Sequence, residues 1–171
     1  FWMLQNTPAL AANLRKEAAR FGINADRLVF AKHTEVSKPL ARLSLADLFL
    51  DSRPYNAHTT ASDALWVGLP VLTCPGETFT SRVAASLLKT VGMPELIAPT
   101  MAAYEALAVE LAKEPEKLAA VKRKLELNRA TAPLFDTDRL RRHIEAAYTR
   151  MWEIAQRGGP PQSFAVPLSR I

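Results

Sequence analysis

Cysteine is nearly missing from this chain: Cys74 is the single one in 171 residues. That excludes an internal disulfide framework and fits a reducing, cytoplasmic compartment. No adjacent base or oxyanion-hole pattern marks Cys74 as a nucleophile. No apolar run approaches the length of a membrane-spanning helix, and no basic stretch leads into an apolar leader, so no membrane partner is expected. Internal repeats and low-complexity segments are also absent. Of the three histidines, His33 and His143 lack metal-ligand spacing, and no metal site is expected. The first residue is Phe1 rather than Met, so the chain is expected to be part of a longer protein.

What is present describes a soluble globular domain. Hydrophobic residues make up 49% and charged residues 23%, and the length suits one α/β domain with a full core rather than two large ones. The formal charge of +5 would suit nucleic acid, acidic lipid or a phosphorylated small molecule. The basic residues are dispersed, however, through Lys113 to Arg129 and Arg139 to Arg150 and interleaved with Glu. Solvated helix faces explain that pattern, and no nucleic-acid partner is expected.

Strand and helix signals alternate along the first hundred residues. Trp2 to Leu4 reads as the end of a strand. Thr7-Pro8 reads as an N-cap with proline at the first helical position, followed by inward-facing Leu10, Leu14, Ala18 and Phe21 and a stop at Gly22. Strands are expected at Leu28 to Ala31, Leu48 to Asp51, Val71 to Cys74 and Leu96-Ile97. Helices are expected from Ser37, from about Thr60 to Val67, and from Ser81 to Val91. After Thr100 everything reads as helix. Asp136 or Asp138 caps a final helix whose stripe, Leu140, Ile144, Ala147, Tyr148, Met151, Trp152 and Ala155, is expected to pack on the domain. The fold class is therefore α/β: a Rossmann-like parallel sheet with helices on both faces and a trailing helical cluster. Residues 1–157 form the domain, and 158–171 a Pro-containing extended tail.

In such sheets ligands bind beyond the carboxyl ends of the strands, where the loops Ser52 to Thr59 and Pro75 to Thr80 are expected. The first loop leads into a helix start carrying His58, Thr59 and Thr60, with Asp63 one turn deeper. Unpaired first-turn amides and about half a positive charge attract phosphate, the hydroxyls and imidazole add hydrogen-bonding groups, and a carboxylate beyond them could accept both hydroxyls of a ribose. A capping box, with Thr59 or Thr60 as N-cap and Asp63 as its N3 acid, explains the same letters equally well. Glu77 and Arg82 read as an ion pair fixing the second loop.

The stretch from Asn56 to Ser86, with Leu45 to Asp51 and Leu134 to Thr137, resembles the C-terminal catalytic lobe of the O-linked N-acetylglucosamine transferases, especially bacterial members. The likeness runs from about Trp2 to Trp152. It implies the C-terminal half of a GT-B glycosyltransferase, preceded by tetratricopeptide repeats and an N-terminal lobe that handles the acceptor. It also implies UDP-N-acetylglucosamine as donor, a Ser or Thr hydroxyl of a protein as acceptor, and no metal or other cofactor. His58, Thr59 and Thr60 match the family's diphosphate and sugar contacts, with His58 the candidate leaving-group contact, and Asp63 matches its ribose acid. Arg42 corresponds to a basic residue flanking the uracil pocket. Pro39 stands where the family commonly has a uracil-contacting His, and Lys32 and Lys38 are both off register for its usual Lys. These departures bear on nucleotide affinity and uridine preference. Another nucleotide-sugar GT-B enzyme, a transferase or an epimerase, and a catalytically silent binding or scaffold module are the alternatives.

Overall fold

The computed structural model describes residues 1–4, 7–31 and 37–167. Lys32 and His33 lie outside the described residues, as does the end of the tail. The chain divides into two compact units, residues 1–42 and 43–171.

The first unit contains β1 (Trp2–Leu4), α1 (Pro8–Arg20) and β2 (Val29–Ala31), and leads into α2 (Ser37–Leu43). β1 and β2 pair in parallel, with Trp2 opposite Val29 and Leu4 opposite Ala31. α1 begins as its sequence dictates: Thr7 Oγ1 accepts the Leu10 N–H at 3.2 Å, and Pro8, which has no N–H to satisfy, takes the first turn. Gly22, with φ +71°, lets the chain turn out of the helix. Leu10 and Phe21 depart from expectation and are exposed. The helix has ended at Arg20, so position 21 no longer follows the helical stripe, and Ala11 is the buried residue of α1.

The second unit contains β3 (Phe49–Leu50), α3 (Thr59–Trp66), β4 (Val71–Leu72), α4 (Val83–Thr90), α5 (Met101–Lys113), α6 (Pro115–Arg129) and α7 (Thr137–Gln156). β3 and β4 are parallel, Phe49 opposite Val71 and Leu50 opposite Leu72. The sheet is smaller than expected. Leu96-Ile97 contributes one parallel bridge, Ile97 to Thr73, because Pro94–Leu96 coils into a 3-10 turn immediately before it.

The core lies where α3 packs on α4. Ala61, Ala64 and Leu65 of α3 and Ala84 and Leu88 of α4 are fully buried with Val71, Val91, Met93, Leu96, Leu111 and Leu125. Leucines carry the buried area, and alanines let the helices approach. Gly68, φ +83°, closes α3: its N–H reaches Leu65 O at 3.2 Å and the Leu69 N–H reaches Ala64 O at 2.8 Å.

Asp136 caps α7, its Oδ1 accepting the Arg139 N–H at 2.8 Å. The apolar stripe of α7 does not pack as expected: Ile154 is the buried residue of the helix, and Leu140, Ile144, Tyr148, Met151 and Trp152 are exposed. Among the described residues no helix is long and apolar enough to cross a membrane.

Candidate functional site

Because β3 and β4 run in parallel, the loops that follow them leave from the same edge. The first closes on itself around Asp51, which is 7% exposed. Its Oδ1 accepts the N–H groups of Ser52 at 2.9 Å and Ala57 at 2.7 Å, and its Oδ2 accepts the Thr73 hydroxyl at 2.6 Å. Within the loop the Asn56 Nδ2 donates to Ser52 O at 2.9 Å and the Ser52 hydroxyl donates to Tyr55 O at 2.9 Å.

The second loop is held at its base. The Gly76 N–H donates to Ser81 O at 2.9 Å, and the Ser81 hydroxyl donates to Thr78 O at 3.0 Å. A Cβ on Gly76 would stand 2.6 Å from Ser81 Oγ and 2.9 Å from Ser81 Cβ, so this close approach needs glycine. The expected Glu77–Arg82 ion pair does not form among the described residues. Both side chains are exposed, and backbone and hydroxyl bonds do the fixing. The loops meet at Thr80, whose carbonyl accepts the Asn56 N–H at 3.1 Å and lies 3.2 Å from His58 Nε2.

α3 starts on this platform, one residue earlier than expected, with His58 as N-cap and no side-chain cap. Thr59 and Thr60 are its exposed first two residues. Their amides bond to no acceptor among the described residues, and the helical ladder opens with the Ser62 N–H donating to His58 O at 3.1 Å. N3 is therefore Ala61, and Asp63 is two positions beyond it. The capping-box explanation of Asp63 does not hold. Asp63 is half-buried, and its carboxylate has no hydrogen bond or ion pair among the described residues.

The His58 ring stacks on Tyr55, centroids 4.9 Å apart and planes 22° apart, and meets Phe79 edge-to-face with centroids 6.2 Å apart. Thr80 O can only accept, so the proton of that bond sits on Nε2, and Nδ1 of the neutral ring is an acceptor. The ring as placed suits a sugar hydroxyl. Donating to a phosphate oxygen requires a second ring proton or release from Thr80.

His58, Thr59, Thr60 and Asp63 are thus brought together on one helix start. Arg42 belongs to the 1–42 unit, on α2, with its guanidinium carbon 5.9 Å from the Trp2 ring centroid. Lys38 and Pro39 lie on the same helix. Among the described residues no group of His, Cys, Asp and Glu is placed to hold a metal ion.

Sequence reading missed three residues: Asp51 and its partners Thr73 and Tyr104. The Tyr104 hydroxyl donates to Asp51 O at 2.9 Å across 53 residues of chain. Burial first, then the charges of Asp51 and Cys74, push its pKa up from 10.0 to about 12. A raised acid is held neutral by the fold, so its contribution is complete below pH 10 and is lost as pH climbs to about 12. Tyr104→Phe should cost about 1 kcal/mol at neutral pH. The stability gap between wild type and variant should then close over that alkaline window, as urea melts at successive pH values would read.

The model of glycosyl transferase family 41 matches residues 1–144. The chain is 37% identical over 166 residues to a probable UDP-N-acetylglucosamine–peptide N-acetylglucosaminyltransferase of Arabidopsis thaliana, covering 96% of this chain and 17% of that protein. It is 34% identical over 159 residues to the Caenorhabditis elegans UDP-N-acetylglucosamine–peptide N-acetylglucosaminyltransferase, covering 93% of this chain and 14% of that one. A solved variant of the Thermobaculum terrenum O-GlcNAc transferase superposes with a TM-score of 0.82 at 28% identity, over 92% of this chain and 31% of that one. The α/β architecture is thus that of a GT-B transferase lobe, and the chain spans less than a third of each of these proteins. It belongs to glycosyl transferase family 41.

Proposed function

We propose that this chain is the donor-binding lobe, residues 1–157 with a short tail, of a cytoplasmic glycosyltransferase that moves N-acetylglucosamine from UDP-N-acetylglucosamine to Ser or Thr hydroxyls of proteins. One observation carries the reading. Among the described residues the Thr59 and Thr60 amides that open α3 have no acceptor, their hydroxyl-bearing side chains are exposed, and the half-buried Asp63 carboxylate has no partner. Unpaired donors at a positive helix end suit a diphosphate, and a lone acceptor one turn deeper suits a ribose diol. The names of the plant and worm relatives, which specify UDP-N-acetylglucosamine and a peptide, support this choice of donor and acceptor.

In the transfer the acceptor oxygen attacks the anomeric carbon, and the bond to the diphosphate breaks. The residues here would meet the negative charge that develops on that leaving group: α3 through its amides and dipole, His58 by donating once its ring is protonated or freed from Thr80. That role needs no metal. Alignment of the acceptor falls to a lobe outside this chain, so the isolated chain would bind donor and turn over little.

UDP titrated into the chain should shift the amide resonances of His58 to Asp63, and a chelator should leave the shifts unchanged. His58→Ala should weaken UDP binding roughly tenfold with little change in melting temperature. A stationary His58 to Asp63 segment at millimolar UDP would remove the assignment.

A further inference from the structure

We propose that Asp51 is a positioning residue for donor binding: its carboxylate clasps the loop that sets where α3, and with it His58, begins. The inference rests on the donor-binding reading above. A carboxylate at the end of a strand is ordinarily solvated. This one is 7% exposed, and removing it from water is tolerable only because donors replace the water. Those donors come from three separate places. Ser52 follows it directly, Ala57 lies at the far end of the loop, and Thr73 stands at the end of the neighbouring strand.

The Ala57 bond is the informative one. Ala57 is the residue before His58, so Oδ1 fixes the entry of α3 against the end of β3 at 2.7 Å. Oδ2 fixes the same carboxylate against Thr73, one residue past β4. α5 joins through Tyr104, whose hydroxyl holds the carbonyl of Asp51 itself. Two strand ends, one loop and α5 thus converge on a residue that lies outside the cradle formed by His58, Thr59, Thr60 and Asp63. Without the carboxylate, the Ser52 and Ala57 amides lose their acceptor and the loop gains conformations. A diphosphate would then have to order the loop on binding, which weakens affinity without any donor contact being removed.

The test compares four full-length chains with wild type: Asp51→Ala, Asp51→Asn, Thr73→Val and, as a core control, Leu111→Ala, a buried residue that makes none of the Asp51 hydrogen bonds. Amide hydrogen exchange is read at Ala57 to Thr60, UDP affinity by calorimetry, and stability by melting. Asp51→Ala should speed exchange at Ala57 about tenfold and weaken UDP by about as much. Asp51→Asn keeps an oxygen for both amides and should restore each to within about threefold of wild type. Thr73→Val removes one donor and should weaken UDP by roughly threefold, which keeps the inference testable if Asp51→Ala does not fold. Leu111→Ala should melt earlier yet leave loop exchange and affinity as in wild type.

Wild-type exchange and affinity in Asp51→Ala, or in Thr73→Val where the alanine variant is unfolded, would overturn the positioning role. So would equal losses in Leu111→Ala. Failure of wild type to bind UDP would instead remove the donor-binding reading, and exchange at Ala57 would still decide whether Asp51 clasps the loop.

Discussion

Thr60→Glu should weaken UDP binding by roughly one to three decades, while leaving the chain as stable as before or slightly more so. The two effects have opposite signs because they share one cause. Thr60 is the second residue of α3 and is exposed. A carboxylate in a first turn interacts favourably with the helix dipole, typically by about 0.3–1 kcal/mol. The same carboxylate would occupy the position where a diphosphate is to sit. Like charges about 4 Å apart repel by about 1 kcal/mol in water and about 4 kcal/mol near a protein surface, so the affinity loss spans roughly one to three decades. Thr60→Ala provides the comparison. It removes one hydroxyl without adding charge and should cost about tenfold or less. Calorimetric titration with UDP and a thermal melt on each variant check both signs. Unimpaired binding by Thr60→Glu would place the phosphates elsewhere. A lower melting temperature in both variants would make Thr60 a structural residue.

Local signals were the legible part of this fold. Thr7 followed by Pro8 marks a helix start, and Gly22, Gly68, Gly92 and Gly158 all take positive φ where helices were expected to stop. Such signals act within a few residues, through one missing N–H or one absent Cβ. The helix bearing His58 to Asp63 was legible for the same reason. What could not be read depends on partners distant in sequence. Asp51 looks like any polar residue at the end of a strand until Thr73 and Tyr104 arrive from 22 and 53 residues away. The expected strand at Leu96-Ile97 was apolar enough, but Pro94 coils the chain and leaves a single bridge. Glu77 and Arg82 have opposite charges five positions apart, and nothing local told that hydroxyl and backbone bonds at Ser81 would hold the loop instead. The α7 stripe illustrates the limit of periodicity. Spacing shows that Leu140, Ile144, Tyr148, Met151 and Trp152 share a face, and it does not show that the face is covered.

The second large effect is expected in the core, at Leu125. α6 is a polar helix whose buried residue is Leu125, fully enclosed against the α3–α4 core. Its charged residues lie on the surface, where ion pairs such as Lys124 with Glu95 at 2.7 Å contribute little. Docking of α6 therefore depends on Leu125, helped by the partly buried Val121. Leu125→Ala should cost about 2–5 kcal/mol, with a correspondingly large drop in melting temperature. The loss would spread along the helix because the next turn is tied to other elements. Asn128 Nδ2 donates to Val91 O at 2.9 Å and to Gly92 O at 3.1 Å, satisfying the end of α4, and Arg129 Nη1 donates to Trp66 O at 2.5 Å at the end of α3. If α6 undocks, both helix ends lose these partners together. Asn128→Ala should then add less to Leu125→Ala than it costs alone, since residues in one network are not independent. Urea melts of the two single variants and the double variant measure this directly. Full additivity would mean that Leu125 fills the core without holding α6 to α3 and α4.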